Sequence, residues 1–274
     1  MPAYINTNVA SINTVRILDS SQKELTTSME RLSSGKRINH ARDDAAGMAI
    51  SSKMTSQING MNQAVRNTND GISMVQTADG AMEGIADKLQ RMRELAVQSS
   101  NGIYSSSDRA ALDIEFQALD DEINRVASSA EFNGTNLIDA DAQIDIQVSY
   151  AADSTNGKIT VSLSGVDSTD LAINTSVITS QNASSAAITA VDAALSTVNS
   201  ARATLGATQN RLETTVKDLK NNVENLSASR SRIEDADFAS ETAQLAKSQI
   251  LQQAGMAMLA QANQLPQQVL SLLR

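Results

Sequence analysis

Apolar residues recur at alternating spacings of three and four positions along two long stretches of the chain. Between residues 188 and 233 only three of the fourteen positions in this register are polar. A second stretch of the same kind runs from residue 54 to residue 92. Sustained spacing of this kind predicts long helices that bury a narrow seam against other helices. Because the two stretches lie far apart in sequence, they can share a seam only if the chain folds back on itself.

The pattern predicts a mainly α fold, a long antiparallel helical coiled-coil rod in which the N- and C-termini are paired. The predicted helices cover residues 5–32, 43–100, a segment that begins at Ser105–Asp108, 186–233 and 237–272. Apolar and polar residues alternate instead around 144–150 and 159–163, which predicts a small β-hairpin in the middle of the chain. The polar segment 164–185 shows no clear period, and we assign it no structure.

Composition restricts the kind of molecule. Aromatic residues make up only 2% of the chain, and tryptophan and cysteine are absent, which excludes disulfides and thiol chemistry. The formal net charge of −9 argues against nucleic-acid binding, because phosphate neutralisation needs a basic face. The sequence shows no secretory signal and no apolar run of the roughly 20 residues that a membrane span needs. On these grounds alone we expect a cytoplasmic protein.

Residues suited to catalysis are scarce. His40 is the sole histidine, and a zinc site of the HExxH type needs two. Asp43 and Asp44 could be a general acid and base, but adjacent carboxylates at the start of a helix are more often caps. We therefore predict no enzyme activity, no metal site and no cofactor.

Several segments of the chain resemble bacterial flagellin. They are LSSGKRIN (32–39), DDAAGMAI (43–50), LQRMRELAVQ (89–98), EFNG (131–134), LGATQNRLE (205–213), MLAQANQ (258–264) and LSLLR (270–274). They occur in the order that the family shows, and the likeness covers about residues 1–140 and 180–274.

The resemblance implies a subunit that self-assembles into the flagellar filament used for motility. It implies a terminal coiled-coil domain, D0, of residues 1–42 and 234–274, which forms the filament core and lines its channel. A helical rod, D1, would consist of residues 43–233 with a small β region at about 140–185, and no D2 or D3 outer domains. The family is exported unfolded by the flagellar type III system, so the resemblance replaces the cytoplasmic expectation with a secreted, extracellular filament.

The resemblance also implies a contact surface for neighbouring protofilaments, which Toll-like receptor 5 recognises on the monomer. Its residues here are Gln90, Arg91, Leu95, Gln98 and Glu115. Leu95 lies one residue off the apolar seam, so we expect an exposed side chain there. The alternative interpretation is that this stretch is the solvated face of a long helix.

The outermost apolar residues are predicted to act in assembly. They are Ile5, Val9, Ile12, Leu18, Leu25, Met29, Leu32, Leu245, Met258, Leu265, Val269 and Leu272. A single pair of such short, polar-rich helices is marginal in water, so we expect neighbouring subunits to bury these side chains. An ordinary intramolecular coiled coil is the alternative, and we favour it for residues 54–92 and 188–233.

The partners that the resemblance implies are other flagellin subunits, the flagellar cap and hook–filament junction proteins, an export chaperone on the C-terminal helix, and the host Toll-like receptor 5. A hook–filament junction protein is the main alternative, because it has similar terminal helices. A free-standing coiled-coil adhesin would need a binding head, for which residues 135–185 look too small.

Overall fold

The computed structural model describes residues 7–151 and 157–272, and the side chains up to Gln264. Within these residues the chain forms five helices and four short strands. They are α1 (Val9–Ser34), α2 (Ala45–Ser99), α3 (Ser106–Ser129), β1 (Glu131–Phe132), β2 (Thr135–Asn136), β3 (Ala142–Gln147), β4 (Lys158–Leu163), α4 (Gln181–Glu234) and α5 (Phe238–Leu272). The mainly α class with a small β region is confirmed, and each predicted helix is present.

The described residues fall into two compact units. The terminal unit comprises the residues up to Ser56 and those from Asn225 onward, and the central unit is Gln57–Glu224. Helices α2 and α4 each contribute to both units. The assignment of D0 and D1 to the filament stays a prediction.

Side chains and one glycine fix the helix ends where the sequence suggested them. The Asp44 carboxylate accepts a hydrogen bond from the backbone N–H of Gly47 (2.8 Å), which caps the start of α2. Ser105 and Asp108 form a reciprocal capping box at the start of α3. Gly35 closes α1 in the left-handed conformation, with a φ of 71°.

The core of the central unit follows the predicted heptads. On α4 the buried seam residues are Val191, Val198, Leu205, Leu212 and Leu219. Except for Leu219, they belong to one buried cluster with Met82, Leu89 and Met92 of α2 and Phe116 and Ile123 of α3.

One of the three polar positions in the α4 seam, Arg202, forms an ion pair. The Arg202 guanidinium lies 2.8 Å from the Asp79 carboxylate of α2, and Arg93 of α2 lies 2.6 Å from Asp192 of α4. Since the paired residue numbers on α4 fall as those on α2 rise, the two helices are antiparallel within the central unit. The predicted fold-back of the two long helices is therefore confirmed.

Two hairpins make up the β region. Strands β3 and β4 are antiparallel, with Ile144 opposite Val161 and Ile146 opposite Ile159, which confirms the predicted hairpin; part of its loop lies outside the described residues. The sequence did not reveal the second hairpin, β1–β2, whose turn lies at residues 133–134. Both turn residues have positive φ, which suits the tight two-residue connection between these strands.

The segment that follows β4 completes the core, although its sequence lacks a period. Val166, Leu171, Ile173 and Ile178 of this segment are all buried. Its backbone is held by side chains of α3, for example through the hydrogen bond from Ile178 N–H to the Asp113 carboxylate (2.8 Å). Irregular backbone of this kind leaves no repeating signal in the sequence.

Two glycines of α2 allow the β3–β4 region to lie close to the helix. A Cβ atom at Gly60 would lie 2.6 Å from Cβ of Tyr150, and one at Gly71 would lie 3.1 Å from Cγ1 of Ile146. The first distance is shorter than real carbon contacts permit, so Tyr150 occupies space that any larger residue at position 60 would need.

We expect Gly60→Ala to destabilise the protein by about 1–3 kcal/mol, because the new methyl group displaces Tyr150. Alanine would otherwise stabilise a helix interior by up to about 1 kcal/mol. Gly80→Ala is the matched control: it also lies inside α2, and no atom lies within 4 Å of the added Cβ. Denaturant unfolding should show opposite signs for the two variants, and equal stabilisation would contradict the close packing of Tyr150.

Candidate assembly surface

Helices α1 and α5 form an antiparallel pair in the terminal unit. The Asn8 side-chain amide donates to the Ala262 carbonyl (2.7 Å), and the Ser21 hydroxyl donates to the Ser248 carbonyl (3.1 Å). Among the helices of residues 7–151 and 157–272, this pair alone brings Cα atoms repeatedly within 8 Å of each other. The predicted pairing of the terminal helices is confirmed.

Small residues make this close approach possible. Ser21 and Ser28 of α1 and Ser248 and Ala262 of α5 are buried in the terminal unit. A Cβ atom at Gly255 would lie 3.3 Å from the Leu18 side chain, so this glycine receives a leucine of the opposite helix. The distance between packed helices is set by the side chains between them, and here those side chains are short.

The positions that face the seam recur in heptads on both helices. The buried or half-buried members are Ser11, Thr14, Leu18, Ser21, Leu25, Ser28 and Leu32 on α1, and Glu241, Leu245, Ser248, Gln252, Gly255, Leu259 and Ala262 on α5. The seam therefore consists mostly of hydroxyl, amide and small side chains with a few leucines.

Large apolar side chains of the terminal unit lie on its outside. Among the described side chains, eleven of the sixteen exposed large hydrophobic residues belong to this unit, and its only buried hydrophobic residues are Ile38 and Ala262. The eleven are Val9, Ile12, Val15, Ile17, Met29, Ile50, Phe238, Ile250, Leu251, Met256 and Met258. Exposed apolar side chains that form a contiguous patch are typical of sites of protein–protein contact.

The residues predicted for assembly divide between two faces. Val9, Ile12, Met29 and Met258 are exposed, at 57% or more of their maximal area. The others with described side chains are half-buried: Leu18, Leu25, Leu32 and Leu245. Ile5 and the side chains of Leu265, Val269 and Leu272 lie outside the described residues. Their role in assembly stays a prediction.

Sequence reasoning missed several exposed apolar residues of this surface, among them Ile17, Ile250 and Met256. They lie outside the seam heptads that the periodicity search follows. Apolar residues that fall outside the buried register of a helix are the signal that could have revealed them.

The segment LSSGKRIN (32–39) includes the connector between α1 and α2, which is hydrogen-bonded to the connector between α4 and α5. Gly35 accepts a hydrogen bond from Ala236 N–H (3.0 Å), and Arg37 N–H donates to the Glu234 carbonyl (2.7 Å). The Arg37 guanidinium also donates to the Ile233 carbonyl. The α1–α2 connector is therefore tied to the end of α4 by its backbone.

The Glu234 carboxylate connects the end of α4 to Lys36 of the α1–α2 connector and to Ser51 of α2. Its carboxylate accepts hydrogen bonds from the Lys36 ammonium and from the Ser51 hydroxyl, and its side chain is only 15% exposed. Lys36, followed by Ser51, lowers the pKa of Glu234 below its ordinary value, against the opposing effect of burial. The charged form of Glu234 therefore stabilises the folded terminal unit.

The side chains of His40 and Asp43 interact with nearby residues of the terminal unit. The Asp43 carboxylate accepts hydrogen bonds from the backbone N–H groups of His40 (2.9 Å) and Asn39 (3.2 Å), and these lower the pKa of Asp43. The His40 imidazole lies 3.2 Å from the Glu30 carboxylate on α1. Asp44 caps α2, so the capping interpretation is confirmed for Asp44, whereas Asp43 supports the preceding turn.

The predicted contact residues of the central unit lie on α2 and α3, and four of the five are exposed. The Arg91 guanidinium donates twice to Glu115 (2.8 and 2.9 Å) and once to Glu94 (3.0 Å), so it links α2 to α3. Gln90 and Gln98 are exposed as well.

The expected exposure of Leu95 is wrong. Its side chain is 1% exposed and belongs to the core of the central unit. A helix that packs against two neighbours buries a face wider than the two seam positions of each heptad. A residue next to the seam, such as Leu95, can therefore still be buried. Any contact role of these five residues stays a prediction.

In residues 7–151 and 157–272 there is no group of three histidine, cysteine or acidic side chains that could hold a metal ion. Among the described helices, none is both long and apolar enough to cross a membrane.

Comparison with known proteins identifies the family. The bacterial flagellin N-terminal helical region matches residues 5–143, and the bacterial flagellin C-terminal helical region matches residues 188–273. A flagellin of Halalkalibacterium halodurans is 48% identical over 98% of this chain and 99% of its own length. The chain belongs to the bacterial flagellin family.

Solved structures agree with this membership. The crystal structure of Bacillus cereus flagellin matches at a TM-score of 0.50 and 31% identity, over 60% of this chain and 94% of that one. A structure described as a flagellar hook-associated protein of Vibrio parahaemolyticus matches at a TM-score of 0.59 over 70% of this chain and all of that one. Its identity is 12%, which shows a shared fold alone, so it does not favour the hook–filament junction alternative over flagellin.

We expect Glu234→Gln to lower stability by about 1–2 kcal/mol at neutral pH, because it weakens hydrogen bonds to a charged group. Since the folded pKa lies below the unfolded value, the contribution is present above pH 4.5 and disappears as the pH falls through the folded pKa. Thermal unfolding at pH 7 and pH 3 measures this.

Glu24→Gln, at an exposed position of α1, is the control and should unfold like the unsubstituted chain at both pH values. A Glu234→Gln effect of equal size at pH 7 and pH 3 would contradict a role for the charge.

Proposed function

We propose that this chain is a structural subunit that self-assembles into the bacterial flagellar filament, and that neighbouring subunits cover the outer face of its α1–α5 pair. The observation that carries the proposal is the distribution of apolar side chains in the terminal unit. Eleven large ones are exposed, whereas the seam between the helices holds small and polar side chains together with five leucines.

Burial by neighbours would supply the stability that the pair lacks alone. Covering one exposed valine, leucine, isoleucine or methionine contributes roughly 1.5–3 kcal/mol. Several such side chains on each helix, such as Val9 and Ile12 on α1, would be covered in every subunit of a polymer. Repeated contacts between different surfaces of identical chains generate an open helical assembly.

A structural role also agrees with the family, so we propose that the chain has no enzyme activity. We further propose that it is exported unfolded through the flagellar type III system and acts outside the cell. The absence of cysteine and the prevalence of local helical contacts suit a chain that folds after export.

The other partners come from the resemblance alone and stay predictions: the cap and junction proteins, an export chaperone on α5, and Toll-like receptor 5. Because Arg91 and Glu115 are exposed and Leu95 is buried, a receptor contact would rest on the charged pair rather than on the leucine. Arg91 is therefore the position at which substitution tests receptor binding without opening the core.

Seeded polymerisation followed by electron microscopy tests the proposal. The purified chain should extend short filament seeds into long tubes, and Ile12→Asp should abolish growth because a charge replaces an exposed apolar contact. Ile12→Leu keeps an apolar side chain at the same position and should still grow.

Seeds that stay unchanged or become capped with the unsubstituted chain would contradict a filament subunit and favour the junction protein. Normal growth of Ile12→Asp would contradict a role for this surface.

A further inference from the structure

The methionines of the chain differ in exposure between the two units. All four methionines of the central unit are buried. They are Met61, Met74, Met82 and Met92. In the terminal unit Met29, Met256 and Met258 are exposed, at 57%, 52% and 63% of their maximal area. Every exposed methionine among the described side chains therefore belongs to the terminal unit.

The two exposed methionines of α5 lie at the same level as exposed apolar residues of α1. On α5 they lie between Gly255, which receives the Leu18 side chain, and Ala262, whose carbonyl accepts from the Asn8 amide. Because the helices are antiparallel, these methionines lie beside the stretch of α1 between Asn8 and Leu18. The exposed large apolar residues of that stretch are Val9, Ile12, Val15 and Ile17.

A thioether can be oxidised under mild conditions, unlike the aliphatic side chains around it. A hydroperoxide transfers its terminal oxygen to the sulfur of methionine: the O–O bond breaks, an S–O bond forms, and the sulfur loses two electrons. The remaining oxygen of the oxidant takes a proton and leaves as water or an alcohol. Cysteine is absent from the chain, so thioethers are its only sulfur groups.

The product, methionine sulfoxide, is unsuited to an apolar contact between subunits. Its oxygen is a strong hydrogen-bond acceptor, and covering it with apolar side chains costs free energy because it loses its bonds to water. The central unit escapes this change, since burial keeps peroxide away from its four methionines. Oxidation therefore alters the surface of the terminal unit and leaves the core of the central unit intact.

We propose that Met256 and Met258 form a peroxide-sensitive modification site whose oxidation prevents a subunit from joining the filament. The modification is reversible, because methionine sulfoxide reductases restore the thioether. Two thiols are then oxidised to a disulfide, and the oxygen leaves as water. The inference rests on the proposed filament function and adds to it a redox control of subunit addition.

Mass spectrometry after brief treatment of the full chain with hydrogen peroxide tests the site. In the folded monomer Met256 and Met258 should be oxidised at least about tenfold faster than Met82 and Met92, which are inaccessible. In the assembled filament their oxidation should slow at least about tenfold, because neighbouring subunits cover them. Equal rates in either comparison would overturn the inference.

The critical concentration for elongation of seeds measures the consequence. Peroxide treatment of the unsubstituted monomer should raise it about tenfold, because apolar contact is lost. Reductase and thiol should then return it to within about twofold of its starting value.

Two leucine variants locate the effect, each compared with itself before and after peroxide treatment. The double variant Met256→Leu/Met258→Leu keeps apolar side chains without sulfur, so treatment should change its critical concentration by less than about twofold. Met29→Leu is the matched control: it removes an exposed methionine from α1 and keeps both sulfur atoms of α5. It should still respond about tenfold, as the unsubstituted chain does.

An unchanged critical concentration after oxidation of Met256 and Met258 overturns the inference, while growth of the untreated chain upholds the filament function. An equal response of the double leucine variant also overturns it, since the effect then arises from other residues. Loss of the thermal unfolding transition on treatment overturns it as well, because the chain would then be unfolded rather than modified at its surface. Seeds that the untreated chain fails to extend overturn both the function and the inference.

Discussion

The small-residue seam between α1 and α5 is the constraint on which the terminal unit depends. Ser21, Ser28, Ser248 and Gly255 leave room for the two backbones to approach, and the Ser21 hydroxyl donates a hydrogen bond across the seam to the Ser248 carbonyl. Such bonds contribute only about 1 kcal/mol each in water. Five leucines share this seam, and the other large apolar side chains of α1 and α5 lie on the outside of the pair, where other subunits can cover them.

The central unit differs from the terminal unit in its helix packing. Its seam is filled by valine, leucine, isoleucine and methionine, and the one charged seam position, Arg202, is paired with Asp79. This unit buries its hydrophobic residues within one chain and carries charged side chains such as Arg91 and Arg211 on its surface. One chain therefore contains a unit with its own core and a unit whose apolar residues are mostly external.

The heptads predicted the long helices and the central core because burial there has a fixed period. They failed at Leu95, which lies off the seam but faces another helix, and they assigned no structure to the segment that contains Ile173 and Ile178. In the terminal helices the same periodicity led to leucines such as Leu18, while apolar residues outside the register, such as Ile17, escaped notice. The apolar spacing led to some exposed residues of this surface, such as Met29, but not to those that fall outside it.

Hydrogen–deuterium exchange of α1 and α5, compared between monomer and assembled filament, tests the central claim most directly. Amides of Val9–Ser34 and of the described part of α5 should exchange fast in the monomer and gain at least about a hundredfold protection in the filament, because neighbours supply the missing burial. Amides of α4 within the central unit should be protected in both states. Equal protection of α1 and α5 in the monomer and the filament would contradict the claim, because the pair would then be stable without neighbours.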